Sequence, residues 1–336
     1  MARLSRLKTA FVDSHSYDPW YNLALEEYLL NHVAENQVIL YLWQNDHTVV
    51  IGKHQNPWKE CACRQLESEG GKLARRLSGG GAVYHDLGNL NFTFVMDRKL
   101  YDLDKQLGVL LQAVKDLEVD AEFSGRNDLV VGGKKFSGNA FCLKPKTAYH
   151  HGTVLVNTDL SKLERYLCPS KEKIASKVID AQSVRSRVVN LASLNPRITV
   201  ASVWQSLKES FAAGYGYYET EIDVSSAQAS LEIQRLYRKY ASWEWRYGES
   251  PDFDISYRHR FDWGEIEMCF SVEDGQVERA AVYSDAMDCG LIEDLARALQ
   301  GIPFRKQAIM DRVAGIAIGE RESLVQDLLA WLQTAC

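Results

Sequence analysis

Apolar residues recur at Tyr21, Ala24, Leu25, Tyr28 and Leu29, which places one stripe on the face of a helix. Asp18-Pro19 stands just ahead of that stripe. An aspartate accepts from the first free amides of a helix, and proline loses nothing at the first helical position. The apolar runs 38–43 and 48–51 predict two strands of a hairpin about the turn-formers Asn45-Asp46. A short helix is expected over 58–69 and strands over 72–76, 82–85 and 91–96. A longer helix fits 103–117. Strands near 119–123 and 129–131 follow, then strands over 134–143 and 148–157, with Gly132-Gly133 as a tight turn. The stretch 204–240 reads as mostly helical, and the pattern breaks at Gly248-Glu249-Ser250-Pro251. Beyond it lie strands over 255–261, 266–272 and 277–284, an amphipathic helix over 291–299 and a terminal helix. Helices set among neighbouring hairpins, without strict β-α-β alternation, predict an α+β fold with a largely antiparallel or mixed sheet. The expected division is residues 1–246 and 254–336, and a chain of 336 residues is also long enough for two domains.

Composition narrows the class of protein. The chain is 46% hydrophobic and 25% charged, which excludes a disordered or low-complexity polypeptide. No apolar run approaches the ~18 residues of a membrane-crossing helix. With 39 basic against 45 acidic residues the net charge is −6, so polyanion binding is not expected, and no nucleic-acid partner is assigned. Seven irregularly spaced cysteines and a basic N-terminus without an apolar core point to a reducing, cytoplasmic setting. Cys61-Ala62-Cys63 is the one close pair, and no second pair completes a zinc spacing. No exposed apolar stripe stands out, so a monomer is expected.

The candidate chemistry sits in three stretches. Arg75-Arg76-Leu77-Ser78-Gly79-Gly80-Gly81-Ala82-Val83-Tyr84-His85-Asp86 combines three glycines, whose backbone amides can face one concavity, with two arginines able to fork onto phosphate oxygens. This reads as an anion cradle, against the plain alternative of a flexible turn. It is not a standard nucleotide loop, because neither G-x-x-x-x-G-K-[ST] nor G-x-G-x-x-G is present. In Gly125-Arg126-Asn127-Asp128 and Gly132-Gly133-Lys134-Lys135-Phe136-Ser137-Gly138, a two-glycine turn sends Lys134 and Lys135 to opposite faces of the ribbon. One lysine can then face a pocket while the other faces solvent. Asp128 is a candidate for Mg²⁺, an ion that favours a carboxylate together with substrate phosphate. In Tyr149-His150-His151-Gly152-Thr153 the adjacent histidines also face opposite ways, so they cannot grip one metal together. One of them is expected to be hydrogen-bonded beneath a site. A serine hydrolase has no G-x-S-x-G support here.

These motifs, in this order, resemble bacterial-type lipoate–protein ligases. Supporting matches are Ser16-Tyr17-Asp18-Pro19-Trp20, Asn56-Pro57-Trp58-Lys59-Glu60, Ser183-Val184-Arg185-Ser186-Arg187-Val188 and Trp243-Glu244-Trp245, and the likeness runs from about residue 10 to the C-terminus. It implies a class II synthetase and biotin-ligase type of mixed sheet with helices, plus a small α+β accessory domain that moves between half-reactions. It also implies that lipoate and Mg-ATP give lipoyl-adenylate and pyrophosphate. The acyl group then passes to a lysine of apo lipoyl domains, on 2-oxoacid dehydrogenases or the glycine-cleavage H protein. Arg76 and the backbone of Gly81, Ala82, Val83 and Tyr84 would bind ATP, and Lys135 would touch both nucleotide phosphate and lipoyl carboxyl. Arg75, Ser78, His85, Asn127, Asp128 and His151 are further candidate site residues. Two alternatives stay open: a lipoyl or octanoyl transferase without the activation step, and a non-catalytic lipoate-binding protein.

Overall fold

The computed structural model describes residues 7–124, 128–167, 188–217, 220–222, 224, 226–248, 255–273, 275–317 and 319–335. Candidate residue Asn127 and most of the 183–188 motif therefore lie outside the described residues. The chain begins with β1 (Lys8–Asp13), α1 (Pro19–His32), β2 (Gln37–Trp43) and β3 (Thr48–Ile51). Next come α2 (Pro57–Glu60), α3 (Cys63–Ser68), β4 (Lys72–Arg75), β5 (Val83–His85), β6 (Asn89–Asp97) and α4 (Leu103–Lys115). The order continues with β7 (Glu122–Ser124), β8 (Asp128–Val131), β9 (Lys134–Leu143), β10 (Thr147–Leu155), α5 (Leu160–Tyr166), α6 (Leu191–Leu194) and α7 (Val200–Tyr215). Then follow β11 (Thr220–Glu221), α8 (Ala227–Ala241), α9 (Trp243–Tyr247), β12 (Ile255–Phe261), β13 (Gly264–Glu273) and β14 (Gln276–Ser284), with α10 (Cys289–Ala298), α11 (Lys306–Ala314) and α12 (Glu322–Ala335) closing the chain.

Eight strands form one mixed sheet in the order β11-β1-β2-β6-β10-β9-β8-β7, so the expected α+β class holds. Because side chains alternate along each strand, the sheet has two different faces. One face sends Leu40, Leu42, Phe92, Phe94 and Val154 against α4 and α7. The other sends Ile39, Tyr41, Trp43, Val95 and Tyr149 against α1 and α8. A second sheet, β4-β3-β5, stands beside this latter face, and its Val50 and Ala74 join the same core. The C-terminal three-stranded sheet β12-β13-β14 packs with α10, α11 and α12 around Phe270, Leu291, Leu295 and Leu328. Among the described residues, that core shares no member with the others.

Asp18 caps α1 as the pattern predicted, its Oδ1 accepting from Trp20 N at 2.9 Å and Tyr21 N at 3.2 Å. Gly132 and Gly133 take φ of 54° and 74°, the left-handed values that a tight hairpin turn requires. Three local expectations need correcting. β2 and β3 are strands but not partners, since β3 pairs parallel to β4 and antiparallel to β5. The side chain of Asn45, accepting from Asn22 at 3.0 Å and donating to His85 Nδ1 at 3.1 Å, anchors the crossing from one sheet to the other. The helix over 58–69 is split because Cys61 adopts an extended conformation and bridges Leu167. Helix α11 was not expected from the pattern.

Candidate functional site

Strand β4 ends at Arg75, and the segment Arg76–Ala82 then crosses the end of β3 to reach β5. Gly52, just after β3, lies under this loop so closely that a Cβ there would come within 2.3 Å of Gly80 O. Successive residues at the end of β4 face opposite ways, and this separates the two arginines. Arg76 turns toward a cavity of about 110 Å³, which it lines with Gly80, Gly81, Ala82, Val83, His85, Lys135 and His151. Arg75 does not line that cavity. Its guanidinium binds the carbonyls of Lys53 (2.8 Å), Gln55 (2.7 Å), Trp245 (2.8 Å) and Arg246 (2.9 Å), and Trp245 Nε1 returns a bond to Arg75 O.

The reading of two arginines with free phosphate forks is therefore corrected. Arg76 is also buried, and its donors are taken by Val50 O (3.2 Å), Gly79 O (2.6 Å), Gly81 O (2.8 Å) and Ser78 Oγ (3.0 Å). Burial lowers both guanidinium pKa values to about 10, which still leaves them charged at neutral pH. Across a peptide plane the carbonyl and the next N–H point in opposite directions. By gripping Gly81 O, Arg76 thus turns Ala82 N–H away from itself. The arginine shapes the loop, and the Ala82 amide faces away from it.

Lys135 lies near the start of β9, with Lys134 exposed on the other face, as the two-glycine turn predicted. Its Nζ sits 2.7 Å from Asp128 Oδ1 on β8 and belongs to the same cavity as the glycine loop. Gly138 lies alongside, where an added Cβ would be 2.7 Å from Lys135 Nζ. The cavity floor runs across the sheet. Gly138 N donates to Thr153 Oγ1 at 3.3 Å, Thr153 pairs with Asn91, and Asn91 pairs with Trp43. Three strand spacings make this about 14 Å, long enough for an extended medium-chain fatty acid. Leu23, Trp43, Val50, Val83 and Ala140 give it apolar walls, while the ammonium marks one end.

The remaining candidates fall into two groups. His151 lines the cavity, and Ser78 lies fully buried behind it, with Ser78 Oγ 2.8 Å from His151 Nε2. Tyr84 is buried, with its ring against His47 and Tyr166, so only its backbone borders the loop. His85 lines the cavity and accepts at Nδ1 from Asn45, which leaves its proton on Nε2, an atom without a partner among the described residues. His150 faces the opposite core, bonded to Gln106 (3.0 Å) and Asn139 (2.8 Å). Leu23, Trp43, Val50 and Asn91 escaped the sequence reading, since apolar and amide residues on strands carry no chemical signal until a cavity opens beside them. Among the described residues no three His, Cys, Asp or Glu side chains gather as a metal site.

Burial pushes His85 and His150 down to about 3. Unfolding restores a value near 6.5, so between pH 6.5 and 3 the unfolded chain binds protons that the folded one does not, and stability falls with falling pH. Each histidine should remove about 2 kcal/mol between pH 7 and pH 5. Urea unfolding at the two pH values is expected to show this drop, reduced by about that amount in His150→Gln. A flat profile would contradict the buried neutral assignment.

The C-terminal domain rests on the glycine loop. Gly80 N donates to Ala286 O at 3.4 Å, Ser284 N donates to His54 O at 2.8 Å, and Lys59 pairs with Glu267 at 2.5 Å. Lys53 also pairs with Glu293.

Residues 18–212 match the family described as lipoyl protein ligase A/B catalytic domain, and residues 250–332 match that described as bacterial lipoate protein ligase C-terminus. Among solved structures, P. falciparum LipL1 in complex with lipoate is 30% identical, with a TM-score of 0.83, over 97% of this chain and 99% of that one. A bi-partite lipoate protein ligase from Thermoplasma acidophilum, described together with its E2 lipoyl domain, is 25% identical, with a TM-score of 0.62, over 74% of this chain and 99% of that one. A lipoate-protein ligase A bound with ATP shares the fold at 24% identity and a TM-score of 0.62, over 72% of this chain and 99% of that one.

Proposed function

Because this chain belongs to the lipoate–protein ligase family, we propose that it activates free lipoate with Mg-ATP and transfers the lipoyl group to a lysine of an apo lipoyl domain. Acceptors of this kind are 2-oxoacid dehydrogenase E2 subunits and the glycine-cleavage H protein. The observation that carries the reading is that the Lys135 ammonium and the Gly80–Val83 loop border one apolar trough. The lipoate held by LipL1 supports the acyl ligand, and the E2 lipoyl domain studied with the archaeal ligase supports the acceptor class.

Activation brings a carboxylate onto the α-phosphate, so two anions must be held together. Lys135 can bridge them once it exchanges its contact with Asp128 for substrate oxygens. Amides of Gly81, Ala82, Val83 and Tyr84 take the nucleotide, in a loop shaped by Arg76. A donor fixed in a dry site stabilises developing charge by about 3 kcal/mol. Asp128, on the strand beside Lys135, is the carboxylate that would hold a Mg²⁺ ion brought by the nucleotide, which would supply positive charge to the phosphates. Transfer then places the acceptor lysine against the adenylate carbonyl, AMP leaves, and an amide bond forms. Residues 1–246 supply this chemistry and 254–336 act as the accessory domain that closes over the loop, an assignment supported by the separate C-terminal core.

Mixing the protein with lipoate, Mg-ATP and an apo lipoyl domain should release pyrophosphate and raise the domain's mass by one lipoyl group. Mass gain only when lipoyl-adenylate is supplied would identify a transferase, and neither signal would leave a binding protein.

A further inference from the structure

One carboxylate oxygen beneath the cavity ends two hydrogen-bond chains. Glu26 lies on the sheet-facing side of α1 and is 1% exposed. Its Oε1 is 2.8 Å from His151 Nδ1 and accepts from Thr93 Oγ1 at 2.7 Å. A carboxylate only accepts, so His151 carries its proton on Nδ1, and Nε2 accepts from Ser78 Oγ at 2.8 Å. Ser78 Oγ in turn accepts from Arg76 Nε at 3.0 Å. Donation therefore runs one way, from the Arg76 cation through Ser78 and His151 to the Glu26 anion. A second chain runs from Trp43 Nε1 to Thr93 Oγ1 at 3.1 Å and on to the same oxygen. Such unidirectional chains polarise each link and hold each rotamer. Arg76, His151 and Trp43 all line the cavity, whereas Glu26, Ser78 and Thr93 do not.

The serine–histidine–glutamate spacing imitates a hydrolytic triad, but Ser78 and Thr93 are fully buried and Glu26 nearly so, and none of the three meets the cavity. Their common effect is on shape. Arg76 holds the carbonyls of Gly79 and Gly81, and Trp43 forms the far wall of the trough. We propose that Glu26 is the positioning residue of the site, setting the nucleotide loop through His151 and Ser78, and the acyl wall through Thr93. The division into nucleotide and acyl arms rests on the function proposed above; the donation order does not.

Two measurements test the two parts separately. Nitrogen-15 spectra of the His151 ring should show a proton on Nδ1 and none on Nε2; a protonated Nε2 would overturn the proposal whatever the enzyme does. Kinetically, Glu26→Ala should raise both KM values about tenfold, the worth of one hydrogen bond, while changing kcat far less. Glu26→Gln, which keeps an accepting oxygen, should recover most of that loss. Ser78→Ala should raise KM for ATP alone, and Thr93→Val KM for lipoate alone. Neither should add to Glu26→Ala, because members of one chain are not independent. Equal shifts of both KM values by Ser78→Ala and Thr93→Val, or full additivity, would overturn it, and those two variants carry the test if Glu26→Ala does not fold. A wild-type protein that releases no pyrophosphate would end the functional reading alone, leaving the tautomer and the calorimetric lipoate affinity of Thr93→Val to decide this one.

Discussion

Lys135→Ala is expected to lose adenylate formation by a factor of at least ~10²–10³ while remaining folded, since the ammonium is proposed to meet both anions of the reaction. It is part-exposed, so its removal leaves no buried cavity to destabilise the sheet. Asp128 would lose its counter-ion, and because the Oδ1 that meets Lys135 is buried, a modest loss of stability accompanies the change. Lys134→Ala should matter little, because that side chain leaves the opposite face of β9. A companion substitution separates presence of the ammonium from its position. In Gly138→Ala the new methyl would stand 2.7 Å from Nζ and 2.8 Å from Cε of Lys135. The tip of a lysine moves cheaply, so the fold should persist while pyrophosphate release falls. Thermal unfolding beside single-turnover pyrophosphate release measures both. An active, folded Lys135→Ala would remove the assigned role, and equal losses at Lys134 and Lys135 would show the strand register to be wrong.

Gly79→Ala should separate the C-terminal domain from the glycine loop. A Cβ at Gly79 would lie 2.0 Å from Ala286 O and 3.0 Å from Met287 Cα, both backbone atoms that cannot rotate aside. The overlap is relieved only by opening the contact, which also releases Gly80 N from Ala286 O. The catalytic sheet makes none of these contacts and should stay intact. Scattering in solution should then report a larger radius of gyration. Adenylate formation should fall by at least about tenfold, the share of a loop held out of place, with transfer from supplied lipoyl-adenylate retained. Unchanged scattering together with unchanged pyrophosphate release would show that the domain does not steady the loop.

Much of the local structure was legible because its causes are local. Asp18-Pro19 caps a helix by its own chemistry, Gly132-Gly133 turns because only glycine adopts those angles without strain, and period-two alternation separates Lys134 from Lys135 and His150 from His151. The α+β class also followed from residue types and their order, whereas the grouping of the glycine loop with Lys135 was implied by the resemblance to the ligase family. Other features were not legible in the residues alone. β2 and β3 look like a hairpin in sequence, and only the burial of Asn45 between Asn22 and His85 sends them to different sheets. Arg75 and Arg76 look alike as phosphate ligands until burial commits both forks to backbone carbonyls. Glu26 and Glu27 are adjacent and chemically identical, yet one underlies the cavity and the other pairs with Lys239 at 2.7 Å.

Backbone preference, side-chain alternation and residue chemistry act over a few positions, and so the chain by itself determined its elements, its class and the reagents of its site. Which donor meets which acceptor depends on groups far apart in sequence competing for burial, such as His151 and Glu26, 125 positions apart. That choice was made only when the sheet, helix α1 and the glycine loop closed on one another, because a buried polar atom must find its partner there or bear the cost of going without.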